Sequence, residues 1–238
     1  MAGVLSIVIP ARNEERYIGE LLDRIRRVDL SPLGISAEVI VVDDHSSDRT
    51  SAIASAVAGV TVRRLPFHAG KGTAVRAGMS LATGDYLIIQ DADLEYDPTD
   101  YVPMLKALSA GGACAVYGSR YLTKGRRRRQ SWLAYAGARS LSRLVSICTG
   151  ARLTDTSTAL KLFRRSFALA LGLTARGFEF DQEITMKALA RRCRIVEVPV
   201  RYVPRTRAEG KKIRARDWVI GAVTVLRERL RPGFGRDD

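Results

Sequence analysis

Short apolar segments alternate with helical patterns along the first half of this 238-residue chain. The apolar segments lie at residues 4–10, 38–42, 60–65, 86–90 and 113–117. Between them, apolar residues recur at intervals of three and four, which is the spacing of an amphipathic helix. Strands that alternate with helices in this way build a mostly parallel sheet with helices on both faces. The sequence therefore predicts an α/β fold.

The second half of the chain is less regular. We predict helices at 132–149, 180–191 and 214–230, and strands at 159–163 and 194–202. We expect a single catalytic domain over residues 1–213, divided into halves at 1–120 and 121–213. Residues 214–238 would form an amphipathic C-terminal helix and a tail. The apolar face of that helix would pack against the core, a second copy of the chain or a membrane surface.

The predicted strand at 86–90 runs directly into Asp91 and Asp93. Residues two apart in an extended backbone point the same way, so these carboxylates should converge just past the strand end. In open α/β sheets, ligands bind at that edge. Two convergent carboxylates suit a hard divalent cation, Mg²⁺ or Mn²⁺, which in turn binds phosphate oxygens. The alternative is a solvated turn that carries two acidic residues.

The formal net charge of the chain is +14. This excess indicates an anionic partner, which could be a nucleic acid, an anionic lipid surface or a phosphorylated substrate. A nucleic acid is disfavoured because the sequence has no aromatic stacking motif and because it would leave the acidic strand ends unexplained. The basic clusters lie at residues 124–129, 191–194, 201–212 and 214–231.

The three cysteines are widely separated and show neither metal-ligand spacing nor a disulfide framework. No apolar run approaches the roughly 18–20 residues needed to span a bilayer. The chain enters a strand pattern at once, without a signal-peptide arrangement. We therefore expect a cytoplasmic protein, peripheral on the cytoplasmic membrane face where its basic residues meet anionic lipid.

Four motifs occur in order along the first half of the chain, and together they resemble the family-2 glycosyltransferases, which have the GT-A fold. They are IPARNE at 9–14, VVDDHSSDRT at 41–50, GKGTAVRAG at 70–78 and GDYLIIQDAD at 84–93. The resemblance implies a Rossmann-like sheet with a nucleotide-sugar donor bound by residues 1–120 and an acceptor bound by residues 121–213. It also implies an inverting hexose transfer that uses Mg²⁺ or Mn²⁺.

The same resemblance implies roles for individual residues. The donor-binding residues would be Pro10, Ala11, Asn13, Glu14, Asp43, Asp44, Gly70, Lys71, Asp91, Ala92 and Asp93. Among them, Asp44 would accept a hydrogen bond from the base, and Gly70 with Gly72 would let the backbone approach the nucleotide. The metal ligands would be Asp91, Asp93 and Glu95, with Asp93 counted as catalytic. In the alternative readings, Asp43 is only a turn residue and Lys71 only a solvated lysine.

Within the family, the second half most resembles dolichol-phosphate-mannose synthases and bacterial polyprenyl-phosphate glycosyltransferases. The likeness rests on GSRY at 118–121, the segment 153–165 and the segment 205–213, although TALK at 158–161 and EGKK at 209–212 depart from the pattern. It implies a lipid-phosphate acceptor. Because arginine forks match phosphate oxygens, basic residues should bind it. The acceptor-phosphate candidates are Arg120, Arg129, Arg139, Arg205 and Lys212, with Arg120 also counted as catalytic.

A sugar or small-molecule hydroxyl as acceptor would instead require a carboxylate base. The best candidate is Asp181, followed by Glu179, although both could simply be acidic residues at a helix N-terminus. GDP-mannose and UDP-glucose both suit the donor site. A sugar nucleotidyltransferase is disfavoured because it needs a glycine-rich basic loop after the first strand, where this chain has PARNE.

Overall fold

The computed structural model describes residues 3–122, 132–205 and 215–235. These residues form a seven-stranded sheet in the order β3-β2-β1-β4-β6-β5-β7. The strands are β1 (Gly3–Ala11), β2 (Ile35–Asp43), β3 (Val60–Arg64), β4 (Tyr86–Ile89), β5 (Ala115–Ser119), β6 (Lys161–Arg164) and β7 (Ile195–Pro199). Strand β6 runs antiparallel to both β4 and β5, and the other pairings are parallel. The sheet is therefore mostly parallel, as predicted.

Helices cover both faces of this sheet. They are α1 (Ile18–Arg26), α2 (Thr50–Ser55), α3 (Lys71–Leu81), α4 (Tyr101–Ser109), α5 (Trp132–Thr149), α6 (Arg165–Ala170), α7 (Phe180–Ala190) and α8 (Ala215–Arg229). Alternate strand residues enter two apolar clusters: Ile7 and Ile9 pack with α1 and α4, whereas Val8 packs with α3 and α7. A strand buried on both faces reads as a continuous apolar run, which is why these strands were visible in the sequence.

The parallel strands deliver their carboxyl ends to one edge of the sheet, here called the cleft edge. Strand β1 pairs with β2 up to Ala11 and Asp43, and with β4 up to Val8 and Ile89. Because β6 runs the other way, it begins at the cleft edge, where Lys161 pairs with Ile89. Both the strand ends and the start of β6 thus supply side chains to the same edge.

Some boundaries differ from the sequence-based prediction. After β4 the chain forms a 3-10 turn, Pro98–Asp100, before the α-helix starts at Tyr101. The strand predicted over 194–202 ends at Pro199, and the short helix α6 was not predicted.

One face of α8 packs on α5 and α7, where Val225 meets Val145 and Met186. Part of its apolar surface is nevertheless exposed; the residues concerned are Trp218, Val219, Ile220, Val223 and Leu226, together with Leu230 just after the helix. Among the described residues, no helix combines the length and apolar character needed to cross a membrane.

Candidate functional site

Arg205 joins two strand ends at the cleft edge. Its Nη1 lies 2.8 Å from Oε2 of Glu14, and its Nη2 lies 3.0 Å from Oδ2 of Asp93. The side chain is 11% exposed and its guanidinium stacks over the ring of Tyr17 at 5.2 Å. A cation therefore lies between two carboxylates from the loops that follow β1 and β4.

Asp91 has a different positive partner. Its Oδ1 lies 2.9 Å from Nζ of Lys71, and the same ammonium lies 3.6 Å from Oδ2 of Asp181. Burial acts to lower the pKa of Lys71, but the charges of Asp181 and Asp91 outweigh it and raise that pKa. Lys71 is therefore a charged bridge between two carboxylates, which excludes the alternative reading of a solvated lysine.

The cleft edge carries more negative charge than its cations offset. Burial, and then the charges of Asp91 and Glu95, raise the pKa of Asp93 to about 7, although Arg205 acts to lower it. Even with Arg205 beside it, this buried carboxylate ionises only near neutral pH, and a hard cation would further favour its charged form. Asp91 and Asp93 thus fit a divalent metal ion by charge and by ligand type.

Glu95 does not join that pair. Its Oε1 accepts a hydrogen bond from the Arg205 backbone N–H at 2.7 Å, and its Oε2 accepts one from Tyr202 Oη at 2.9 Å. Within the described ranges, no three Asp, Glu, His or Cys side chains are placed to hold a metal ion. The three-ligand set predicted from the sequence is not assembled here, because Glu95 anchors the segment that carries Arg205.

Asp44, predicted to bind the base, is occupied by the loop before α3. Its Oδ1 accepts from Ala69 N at 2.6 Å, while its Oδ2 lies 2.9 Å from Gly70 N and 2.7 Å from His68 Nδ1. A hydrogen bond to a base would compete with these contacts. Asp43 is fully buried and accepts from Ser46 N at 3.0 Å, which is the turn role left open above.

The remaining donor-site candidates form the framework of the cleft. Asn13 has a left-handed backbone (φ 51°) and accepts from Ser47 N through its Oδ1 at 2.9 Å, so it ties the end of β1 to that of β2. Pro10 is half-buried. Ala11 and Ala92 lie in the apolar core, so a contact of either residue with the donor would come from its backbone.

The glycines at the start of α3 allow a close approach, but of another backbone segment. A Cβ at Gly70 would lie 2.4 Å from the carbonyl oxygen of Arg176, and one at Gly72 would lie 2.4 Å from that of Ala175. The Arg176 carbonyl also accepts from Thr73 N at 3.2 Å. The segment 175–176 thus accounts for glycine at both positions, and the expected approach of Gly70 and Gly72 to a nucleotide stays a prediction.

Asp181, the candidate base, is held by two lysines. Its Oδ1 lies 2.6 Å from Nζ of Lys161, a side chain with no exposed surface, and its other partner is Lys71. Burial acts to raise the pKa of Asp181, but Lys161 and Lys71 outweigh it, so the pKa is lowered. A carboxylate with a lowered proton affinity is a weak general base. The second candidate, Glu179, accepts hydrogen bonds from Arg176 N and Gly177 N.

Arg120 is committed to an internal ion pair. Its Nε and Nη2 donate to the two carboxylate oxygens of Asp155, each at 2.7 Å, and its guanidinium lies over the rings of Tyr121 and Tyr202. Asp155 is fully buried, and its backbone N–H donates to Glu197 at 2.8 Å. The bidentate fork predicted to bind an acceptor phosphate is thus engaged by Asp155.

The other acceptor candidates have different positions. Arg139 donates to the Thr154 carbonyl at 2.7 Å and lies over the ring of Tyr121. It is therefore a neighbour of Arg120. Arg129 and Lys212 lie outside the described residues, as do the arginine run 126–129 and the segment 209–213.

Lys161 was missed as a site residue. In the sequence it is a single charge between Leu160 and Leu162 in a short apolar strand, and such a charge signals a buried partner. The partner, Asp181, is twenty residues away, so only the fold reveals the pair.

Comparison with known proteins identifies the family. The model of the glycosyl transferase family 2 matches residues 6–171. The chain belongs to this family. A relative of this family-2 glycosyltransferase, the dolichol-phosphate mannosyltransferase of Pyrococcus furiosus, is 30% identical over 87% of this chain and 58% of its own length. The low-salt glycan biosynthesis hexosyltransferase Agl6 of Haloferax volcanii is 29% identical over 86% and 49%. The chain thus spans about half the length of these curated relatives.

Solved structures confirm the GT-A fold. The glucosyl-3-phosphoglycerate synthase of Mycobacterium tuberculosis with Mn²⁺, UDP-glucose and phosphoglyceric acid has a TM-score of 0.69 and 23% identity, covering 99% of this chain and 81% of that one. Its complex with Mg²⁺ and UDP has a TM-score of 0.68 and 22% identity, covering 99% and 80%. At this level of identity the likeness concerns the fold.

Proposed function

We propose that this family-2 glycosyltransferase moves a hexose from a nucleotide-diphosphate sugar, of the GDP-mannose or UDP-glucose type, to a polyprenyl or dolichyl phosphate. The observation that carries the proposal is the ion pair between Asp181 and Lys161, at 2.6 Å. It removes the best candidate base from the cleft. A phosphate acceptor is already an anion near neutral pH and needs no base to attack.

The donor would lie at the cleft edge, where Glu14, Asp91 and Asp93 meet Lys71 and Arg205. Asp91 and Asp93 would hold Mg²⁺ or Mn²⁺, which when bound would offset charge on the departing nucleoside diphosphate. Lys71 adds a fixed positive charge beside the same position. The similar proteins support a sugar donor, since a solved structure contains UDP-glucose and the curated relatives are a mannosyltransferase and a hexosyltransferase.

In the proposed reaction an oxygen of the acceptor phosphate attacks the anomeric carbon in line with the bond to the diphosphate. That bond breaks, its electron pair leaves with the nucleoside diphosphate, and the configuration is inverted. Arg139 and Arg205 are the described cations proposed to hold the acceptor phosphate. Arg129 and Lys212 remain predictions for the same role.

The surface of α8 supports an acceptor presented by a membrane. Val219, Val223 and Leu226 are exposed on one side of the helix, with Leu230 just beyond it. Arg227 and Arg231 are about half exposed nearby. Apolar residues flanked by arginines bind the headgroup region of anionic bilayers. We therefore place the enzyme at the cytoplasmic membrane face in this proposal.

A second candidate acceptor is a small phosphorylated molecule that reacts through a hydroxyl. Two of the solved complexes favour it, because they contain glycerol 3-phosphate and phosphoglyceric acid respectively. This reaction would need a base, and Asp181 would have to leave Lys161 to serve. The ion pair therefore places this candidate second.

The experiment compares acceptors with the full chain, Mn²⁺, and either GDP-mannose or UDP-glucose. The acceptors are a short-chain polyprenyl phosphate, the corresponding polyprenol and 3-phosphoglycerate. We expect transfer to the polyprenyl phosphate, with an inverted product, and none to the polyprenol. Transfer to 3-phosphoglycerate alone would select the second candidate. Asp93→Asn serves as the control for activity that depends on the cleft.

A further inference from the structure

Four charged side chains of alternating sign form a continuous row from the cleft edge into the core. Asp91 contacts Lys71 at 2.9 Å, Lys71 lies 3.6 Å from Asp181, and Asp181 contacts Lys161 at 2.6 Å. The first member faces the proposed donor and the last is fully buried. A change in charge at the buried end therefore alters the electrostatic potential at the donor end.

The buried end of this row is fixed by the sheet. Lys161 opens β6 between Ile89 of β4 and Tyr117 of β5, and its Nζ also donates to the Thr158 carbonyl. The ammonium lies 5.1 Å from the centre of the Tyr117 ring. The paired strand fixes the backbone of Lys161, and the Thr158 carbonyl helps to fix its ammonium, so Asp181 is held where Lys161 lies.

The next link is the division of Lys71 between two carboxylates. Its ammonium lies closer to Asp91 than to Asp181, although both are anionic neighbours. Asp181 is itself shared, since it lies 2.6 Å from Lys161 and 3.6 Å from Lys71. Without the contact with Lys161, Asp181 would be a nearly buried carboxylate with Lys71 as its remaining lysine partner, and it would draw the ammonium inward.

We propose that Lys161 is a positioning residue for the donor site. By pairing with Asp181, it keeps the ammonium of Lys71 on Asp91. The inference rests on the proposed function in that Lys71 faces the diphosphate of a nucleotide-sugar donor. Lys161 itself does not touch the donor.

The test measures binding of UDP and of GDP, each with Mn²⁺, by isothermal titration calorimetry. Lys161→Met should weaken the better-bound nucleotide about tenfold, because Lys71 moves toward Asp181. The double variant Lys161→Met/Asp181→Asn should return to within about threefold of wild type, since Lys71 then has Asp91 alone. Arg165→Met is the matched control: it removes a charge just beyond the other end of β6 and should leave the affinity within about twofold.

Two results would overturn the inference: a folded Lys161→Met protein that binds like wild type, or a double variant as weak as the single one. If Lys161→Met does not fold, Lys161→Arg and the double variant are measured instead. Loss of nucleotide binding in both would contradict the inference. A crystal structure of the altered protein locates Lys71 independently of nucleotide, and Nζ still on Asp91 in Lys161→Met would refute the mechanism. A wild-type chain that binds neither nucleotide instead contradicts the proposed function.

Discussion

The guanidinium of Arg205 lies 3.0 Å from the carboxylate of Asp93, although the two residues are 112 positions apart in the chain. The guanidinium supplies part of the positive charge that would offset these carboxylates, at the position where the sequence predicts a divalent cation. Arg205 is also a proposed acceptor ligand. The same side chain therefore links the two halves of the cleft, and a metal ion would compete with it for Asp93.

Replacing Arg205 by Gln should strengthen metal binding in the absence of nucleotide. Loss of the competing guanidinium is expected to raise Mn²⁺ affinity roughly tenfold at pH 8.5, where Asp93 is ionised. Titration calorimetry with Mn²⁺ alone measures this. Arg201→Gln is the control, because Arg201 pairs with Asp97 at the surface, 3.2 Å away. An unchanged affinity in the Arg205 variant would show that the two cations do not compete.

Asp93 should make the fold less stable as the pH rises. Its pKa of about 7 lies above the ordinary 3.8, so the native state binds this proton more tightly than the unfolded state. The resulting stabilisation is present below pH 4 and is lost as the pH rises to about 7, by at most about 4 kcal/mol. Asp93→Asn should remove this loss, so denaturant unfolding at pH 5 and pH 8 should differ less than in wild type.

Asp97 provides a control of opposite sign for that experiment. Burial acts to raise the pKa of Asp97, but its hydrogen bonds with Thr99 outweigh burial and lower it. Its stabilisation is present above the ordinary pKa and is lost as the pH falls. Asp97→Asn should therefore lower stability at pH 8. If the free energy of unfolding depends on pH in the same way in wild type and in Asp93→Asn, the raised pKa of Asp93 is contradicted.

Breaking the ion pair of Arg120 with Asp155 should cost more than removing both charges. Arg120→Leu leaves a fully buried carboxylate without its guanidinium and should lower the free energy of unfolding by about 3–5 kcal/mol. The double variant Arg120→Leu/Asp155→Asn should recover at least half of that loss. Urea unfolding measures both. Arg24→Gln, which breaks an exposed pair with Glu20, should change stability by less than about 0.5 kcal/mol.

Gly72→Ala should disturb the contact between α3 and the segment 175–176. The added Cβ would lie 2.4 Å from the Ala175 carbonyl oxygen, so one backbone must shift, at a cost of about 1–3 kcal/mol. Thermal unfolding and nucleotide titration should both report the change, because Lys71 is the adjacent residue. Gly59→Ala tests backbone strain alone, since a Cβ at Gly59 meets no atom within 4 Å. If both variants bind nucleotide equally well, the close packing at Gly72 is irrelevant to the cleft.

The double variant Lys161→Met/Asp181→Asn also separates the two acceptor classes. Asp181→Asn alone leaves Lys161 buried without its carboxylate, so loss of activity in that protein would not identify a base. With both charges removed, turnover of a polyprenyl phosphate should stay within about tenfold of wild type, because no proton must be abstracted. A loss of about a thousandfold, measured as kcat in an acceptor-saturated assay, would show that Asp181 is the base.

The sequence predicted those parts of the fold that local patterns encode. Apolar runs revealed the central strands, and the spacing of Asp91 and Asp93 marked the cleft edge. The position of β6 between β4 and β5 was not visible, because strand order depends on contacts between distant segments. The partners of Arg120 and Asp181 were missed for the same reason. Helix α6 was missed because its six residues are too short to show a helical period.

The reversed direction of β6 has a consequence for how this cleft can be altered. The segment just ahead of Lys161 is fixed, because Asp155, Thr158 and Leu160 are fully buried and the Leu160 carbonyl accepts a hydrogen bond from Gly118 N. A slip of one residue inside β6 would exchange its two faces and bring a leucine to the place of the ammonium. A change in length between Asp155 and the end of this four-residue strand would therefore displace the ammonium of Lys161.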